Sequence, residues 1–171
     1  QPFPFEGEPE YTNVREACEH IFETVIEEET YIPMMQAISD GYPLMDVAQA
    51  MLFKGFSEGK WNPDLLVLLA EPTTYMLMAL AERADIDFVI YRGEDEDDDE
   101  EAELLGITYD EDKMRELRES RKTKEIPDEA LPERILERLD EAPVESLLGE
   151  QAAPEEEAAE EEEEEEPEQP Q

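Results

Sequence analysis

The chain has 171 residues, of which 51 are Asp or Glu and 13 are Lys or Arg, and its formal net charge is −38. A surface of this charge repels nucleic acid and anionic lipid and attracts basic protein surfaces. We therefore expect a protein partner with a basic surface, no direct binding of nucleic acid and no membrane association.

The charge and the apolar residues are unevenly distributed. Residues 1–93 hold 17 acids and 5 bases, net −12, whereas residues 94–171 hold 34 acids and 8 bases, net −26. Apolar residues with helical spacing also become sparse after residue 93. This predicts a mainly α protein: a small helical domain of about five helices, then a largely disordered acidic arm with one or two isolated helices. The predicted segments are an extended N-terminal segment (1–12), the globular domain (13–93), an acidic linker (94–109), charged helical segments (110–141) and a disordered Glu/Ala/Pro-rich tail (142–171).

The first helix has the clearest signal. Asn13 with Glu16 three residues later is a capping box, and the apolar stripe behind it predicts a helix to about Thr30 with one buried face. The stripe consists of Val14, Ala17, Cys18, Ile21, Phe22, Val25 and Ile26. The preceding segment carries Phe3 and Phe5, which can pack back onto the domain.

Prolines divide the rest of the domain into short predicted helices. Pro33 precedes a helix from Met34 to Asp40, and a third helix follows Pro43. Residues 64–70 and 72–83 then predict two buried helices joined at Pro72. Each is far shorter than the ~20 residues that span a bilayer, so we predict a soluble protein. Residues 86–91 alternate apolar and polar side chains and predict an extended edge.

Two acid runs mark the arm, Glu94–Glu101 and Glu160–Glu166. Between them, Asp110–Lys124 predicts a helix that carries six of the thirteen bases. Opposite charge blocks pair readily, so we expect this helix to pair with the acid run, and partner docking is the alternative.

The residue types needed for catalysis are scarce. The chain has one histidine, His20, and one cysteine, Cys18, and residues two apart on a helix do not face each other. No spacing typical of a zinc, calcium or phosphate site is present. We therefore predict no catalytic residues, no metal, no cofactor and no enzymatic activity.

Two groups of apolar residues are candidates for protein contacts. Phe53, Phe56 and Trp61 surround Gly55 and Gly59 and form either a binding patch or part of the core. A second group lies in the arm, where an isolated apolar cluster has the form of a linear docking motif or is a chance occurrence. Its members are Val144, Leu147 and Leu148.

Two stretches carry a resemblance to a known class of protein. They are Gly55–Asp64 (GFSEGKWNPD) and Glu71–Glu82 (EPTTYMLMALAE). The chain resembles, over about residues 5–92, a small acidic protein of T4-like tailed phages, particularly marine ones. The resemblance implies a viral context, in which small acidic proteins include prohead core components cut by a prohead protease after Leu or Ile, any residue, and Glu. It therefore implies processing sites in the arm at Glu133, Glu137, Glu141 and Glu150.

We expect a non-enzymatic phage assembly or virion-associated protein, of the prohead core or scaffold type. It would act through protein contacts and a polyanionic arm, in the host cytoplasm during infection and in the prohead or virion. A regulator that docks on an enzyme such as RNA polymerase is one alternative, and a DNA mimic is another. The sequence leaves the oligomeric state open.

Overall fold

The computed structural model describes residues 2–94 and 111–147, so most of the predicted linker and the tail from residue 148 lie outside the described residues. Within the described ranges the chain is mainly helical and contains no strand, which confirms the predicted fold class. Short 3-10 turns lie at Pro4–Glu6 and Leu139–Glu141, and residues 144–147 are helical. The main helices are α1 (Val14–Val25), α2 (Glu28–Ser39), α3 (Leu44–Ser57), α4 (Pro63–Arg83), α5 (Glu111–Thr123) and α6 (Glu133–Leu136).

Helix α1 begins as predicted but ends earlier. The Asn13 Oδ1 atom accepts the Glu16 amide proton at 2.9 Å, which caps the helix. The chain leaves the helix at Ile26 instead of Thr30 because three glutamates follow. At the C-terminus of α1 they would oppose the helix dipole, whereas Glu28 and Glu29 in the first turn of α2 stabilise it.

The predicted breaks at Pro33 and Pro72 are wrong, because both prolines lie inside continuous helices, α2 and α4. A proline in a helix interior costs about 3 kcal/mol and leaves the carbonyl four residues earlier unpaired. For Pro72 that carbonyl belongs to Leu68, which is 61% exposed, so water can reach it. Helix α4 buries twelve residues on both sides of Pro72, each large apolar one contributing about 1.5–3 kcal/mol. Burial therefore outweighs the proline.

Helix α4 is the centre of the domain and packs against α1 and α3. Because it is continuous over 21 residues and contains an 18-residue window with a mean hydropathy of 1.4, it has the length and composition of a membrane span. We predicted two helices that are each too short to cross a bilayer. This prediction is wrong because the two halves form one continuous helix. However, 67% of this stretch is buried by the rest of the chain, which is typical of the core helix of a globular domain.

The segment predicted as an extended edge closes the start of α3. The Leu44 amide donates to the Val89 carbonyl at 2.8 Å, and the Met45 amide donates to the Ile90 carbonyl at 3.0 Å. Helix N-termini leave amide groups unpaired, so this segment acts as the cap that Pro43, at the N-cap, lacks a side chain to provide. Ile90, which belongs to this segment, is fully buried.

The prediction of isolated helices in the arm is wrong for residues 111–147. Met114 and Leu117 of α5, together with Leu131, Ile135 and Leu147, are buried in the same hydrophobic core as α1–α4. The guanidinium of Arg138 also lies 5.3 Å from the ring centre of Phe22 in α1. Met114 and Leu117 are three residues apart, the spacing of a helix with one narrow buried face, although the sequence around them is strongly charged. The folded unit therefore extends well beyond residue 93.

Candidate functional site

An exposed cluster of four phenylalanines is the most distinctive surface of the described residues. We call Phe3, Phe5, Phe53 and Phe56 the phenylalanine patch. Measured between ring centres, Phe3 stacks on Phe5 at 5.4 Å and Phe5 stacks on Phe56 at 5.3 Å. The ring centre of Phe56 lies 6.2 Å from that of Phe53. Phe3 and Phe53 are each 64% exposed and Phe5 is 43% exposed. Contiguous exposed aromatic surface is costly in water and typical of a protein-binding site.

The N-terminal segment is held in place by the connection between α3 and α4. The Glu10 amide donates to the Gly59 carbonyl at 3.0 Å, and the Tyr11 amide donates to the Lys60 carbonyl at 2.8 Å. The Lys60 ammonium lies 2.7 Å from the Glu10 carboxylate, and this hydrogen bond lowers the pKa of Glu10. These contacts fix the position of Phe3 and Phe5 relative to α3.

Gly59 permits this close approach of the two segments. Its φ of +81° lies in the left-handed region that side chains disfavour, and a Cβ atom there would be 2.7 Å from the Pro4 carbonyl oxygen. The backbone turn at Gly59 therefore determines that the N-terminal segment reaches α3, which completes the phenylalanine patch.

Of the two alternatives for Trp61, a binding patch or the core, the structure places it in the core. It is only 3% exposed, and its indole N–H donates to the Leu52 carbonyl at 2.9 Å. The ring lies directly over Gly55, where a Cβ atom would be 2.0 Å from the indole. Trp61 is buried because Gly55 leaves room for it, while Phe53 and the half-buried Phe56 remain at the surface.

The predicted docking motif in the arm is packed onto the domain. Leu147 is 3% exposed and Val144 is half-buried against the core, whereas Leu148 lies outside the described residues. A linear motif binds through side chains that are free before binding. The described part of this motif does not meet that condition.

The same packing affects the predicted processing sites. Glu133, Glu137 and Glu141 are exposed, but two of the apolar residues that precede them, Leu131 and Ile135, are 3% and 1% exposed. The expectation that these sites lie in a flexible, accessible arm is wrong for this region. Glu150 lies outside the described residues, three positions after Leu147, the last buried residue among them.

The predicted pairing of the basic helix with the first acid run is confirmed for Glu94, the first residue of that run. The Glu94 carboxylate, 7% exposed, accepts the Ile90 amide proton at 2.8 Å and forms an ion pair with Arg121. Lys113 lies 3.4 Å from Glu71 of α4. The Lys113 contact joins α5 to α4, and the Arg121 contact joins it to the segment that follows α4. The other members of the run lie outside the described residues.

The side chains that could do chemistry are separated or buried. Burial raises the pKa of Cys18 to about 12, so this thiol is protonated and unreactive at neutral pH. His20 is stacked on Tyr11 at 4.9 Å and faces the edge of Trp61 at 6.4 Å, within an aromatic row. In the described ranges, no three His, Cys, Asp or Glu residues converge in an arrangement suited to a metal ion.

A cleft of about 550 Å³ opens beside the end of α4, and Glu82 is partly buried in its wall. Burial raises the pKa of Glu82 above 4.5, while the nearby Lys124 opposes the shift. Because the pKa of Glu82 is higher in the folded state than in the unfolded state, its contribution to stability is fully present at a pH below the unfolded-state pKa. That contribution is lost as the pH rises through the folded-state pKa. At neutral pH the ionised form therefore destabilises the fold.

We expect Glu82→Gln to raise the thermal unfolding midpoint at about pH 7 and to raise it much less at about pH 4, where most glutamate is protonated in both states. Thermal denaturation followed by circular dichroism across this range tests the prediction. The exposed Glu58→Gln is the control. An effect of Glu82→Gln that is equal at both pH values would show that burial of the charge is not its cause.

Comparison of the chain with protein-family models, with curated proteins and with solved structures finds no match.

Proposed function

We propose that this is a non-enzymatic assembly or virion-associated protein of a tailed phage, of the prohead core or scaffold type. The observation that carries the proposal is the phenylalanine patch. Four aromatic rings, assembled from the N-terminal segment and α3, offer rigid apolar contact area at low entropic cost. Such a surface suits an architectural contact with another protein.

The charge around the patch indicates the kind of partner. The same N-terminal segment carries Glu6, Glu8 and Glu10, and Glu58 follows α3, so acids border the aromatic rings. The complementary surface is an apolar pocket with a basic rim on another structural protein of the phage. The net charge of −38 opposes self-association through this face.

The polyanionic segments have a physical role in such an assembly. Mutual repulsion keeps densely packed copies soluble, and the acids screen a basic capsid interior until DNA arrives. If the prohead protease processes this chain, Glu150 is the site whose cleavage leaves every described core contact in place. The released segment, residues 151–171, would contain 11 acids and no base.

The regulator remains an alternative, but Leu147, in the arm motif through which it would dock, is buried in the core. A polymerase-docking role would now have to use the phenylalanine patch or a surface outside the described residues. The patch is thus the feature to test under either function.

We expect the double substitution Phe3→Ser with Phe53→Ser to abolish binding to head particles while changing the free energy of unfolding by less than about 1 kcal/mol. Both side chains are mostly exposed, so little core packing is lost. Binding is measured by co-sedimentation of the purified variants with head particles from infected cells. Unfolding is measured by chemical denaturation.

The matched control for this experiment is Tyr42→Ser. Tyr42 is 61% exposed and lies just before the N-terminus of α3, at the other end of the helix from Phe53. It should leave binding intact. If the double variant binds as well as the wild-type protein does, the docking site lies elsewhere than the patch. If the wild-type protein does not bind head particles, the proposed function is rejected.

A further inference from the structure

Helix α5 separates its charges along its outer surface. At 100° per residue, Arg115, Arg118 and Lys122 fall within an arc of roughly 60°, and we call them the basic flank. All three are exposed, while Met114, Leu117 and Ser120 face the core. The acids Asp112, Glu116 and Glu119 lie on the other side of the exposed surface, while Glu111, one turn before Arg115, lies on the same side as the flank. The helix thus presents a cationic stripe on a molecule of opposite charge.

The basic flank differs from the other bases of α5 in its partners. Arg121 is engaged by Glu94, and Lys113 by Glu71. By contrast, no carboxylate of residues 2–94 or 111–147 forms an ion pair with Arg118 or Lys122. Among the same residues, Arg115 pairs only with Asp112 of its own helix, at 3.5 Å. The flank is therefore available to an anionic ligand.

We propose that the basic flank binds the C-terminal glutamate-rich segment of the same chain, residues 150–171. Charge complementarity is the first reason, because this segment holds 12 acids and no base. Reach is the second. The chain is fixed at the buried Leu147, and the 24 residues that follow extend up to ~80 Å, farther than the width of a domain of this size.

The tether also favours the chain's own segment over a free competitor. A linked partner of this length is present at an effective concentration of about 1 mM, well above the concentration of any separate acidic protein in a dilute solution. The first acid run, which is tethered at Glu94 and at α5, is the competing occupant. When bound, the C-terminal segment masks the basic flank and makes the outer surface uniformly acidic. Its removal would uncover a cationic site.

Paramagnetic relaxation in the full-length protein tests this contact. A nitroxide attached to Ala159→Cys reports on amides within its range, and the buried Cys18, with a pKa raised to about 12, resists labelling. At about 0.05 M salt we expect strong broadening of the Arg115, Arg118 and Lys122 amide signals. The broadening should disappear at about 0.5 M salt, because exposed charge pairs are screened.

Matched charge reversals establish which bases are responsible. Arg118→Glu with Lys122→Glu should abolish the broadening around α5. Arg15→Glu with Arg83→Glu, which changes the net charge by the same amount at two other exposed bases, should preserve it. Broadening that is unaffected by the flank substitutions would overturn the proposal.

Two other occupants of the flank are distinguished by the same label. Broadening that passes from a labelled chain to an isotope-enriched, unlabelled chain in a mixed sample would identify the segment of a second copy. Broadening that appears only after Asp95–Glu101 is neutralised to Asn and Gln would identify the first acid run. Either result would overturn the intrachain proposal.

Discussion

Ending the chain at Gly93 is expected to abolish cooperative unfolding of the domain. The truncation removes five large apolar side chains that are each at most 5% exposed: Met114, Leu117, Leu131, Ile135 and Leu147. At about 2 kcal/mol each, they contribute about 10 kcal/mol. This is comparable with the entire stability of a small domain, about 5–15 kcal/mol. The apolar surfaces of α1 and α4 beneath them would also be exposed to water.

Circular dichroism and calorimetry of the truncated protein test this expectation. The matched control is a chain that ends at Glu150, which keeps every described contact and should unfold like the full-length protein. A sharp, two-state transition in the chain that ends at Gly93, with a midpoint near that of the control, would show that residues 111–147 are dispensable for the core.

Gly55→Ala is the single substitution expected to cost the most for the smallest chemical change. The added methyl group would lie 2.0 Å from Cζ2 and 2.5 Å from Cη2 of Trp61, a distance at which atoms overlap. The indole must then move and lose its hydrogen bond to the Leu52 carbonyl. We expect a loss of about 3 kcal/mol in the free energy of unfolding, measured by denaturant titration.

Gly7→Ala provides the control for this substitution. The nearest atom to a Cβ at Gly7 is the Pro4 carbonyl oxygen at 3.8 Å, an ordinary contact, and the φ of Gly7 is −87°. Its effect on stability should be within about 0.5 kcal/mol. Equal effects of the two substitutions would show that Trp61 does not pack on Gly55 as described.

The elements that were predicted correctly are those with strong local signals. The stripe of α1 recurs with helical spacing and is preceded by an Asn13 cap, and both features depend only on neighbouring residues. The prolines were misleading because their local cost is real but small beside the burial on either side of them. That burial is set by tertiary contacts, which the local sequence does not display.

The joining of the N-terminal phenylalanines to those of α3 in one patch escaped prediction, and so did the packing of the arm, for the same reason. Phe5 and Phe56 lie about fifty positions apart, and the turn at Gly59 that joins their segments is visible in sequence only as an isolated glycine. In the arm, the acidic composition concealed a narrow apolar face on α5. Burial of Leu117 and Ile135 requires only a few apolar residues at the right spacing, even where the average composition is typical of disorder.

The central proposal, a role in assembly of the phage head, is tested most directly by quantitative mass spectrometry of proheads, mature virions and infected-cell cytosol. We predict that intact protein is enriched in proheads, and that mature virions hold a form ending at Glu150 or none. The folded part through Leu147 should remain uncut. Full-length protein confined to the cytosol, bound to a polymerase and absent from every head intermediate, would contradict the assembly role and favour the regulator.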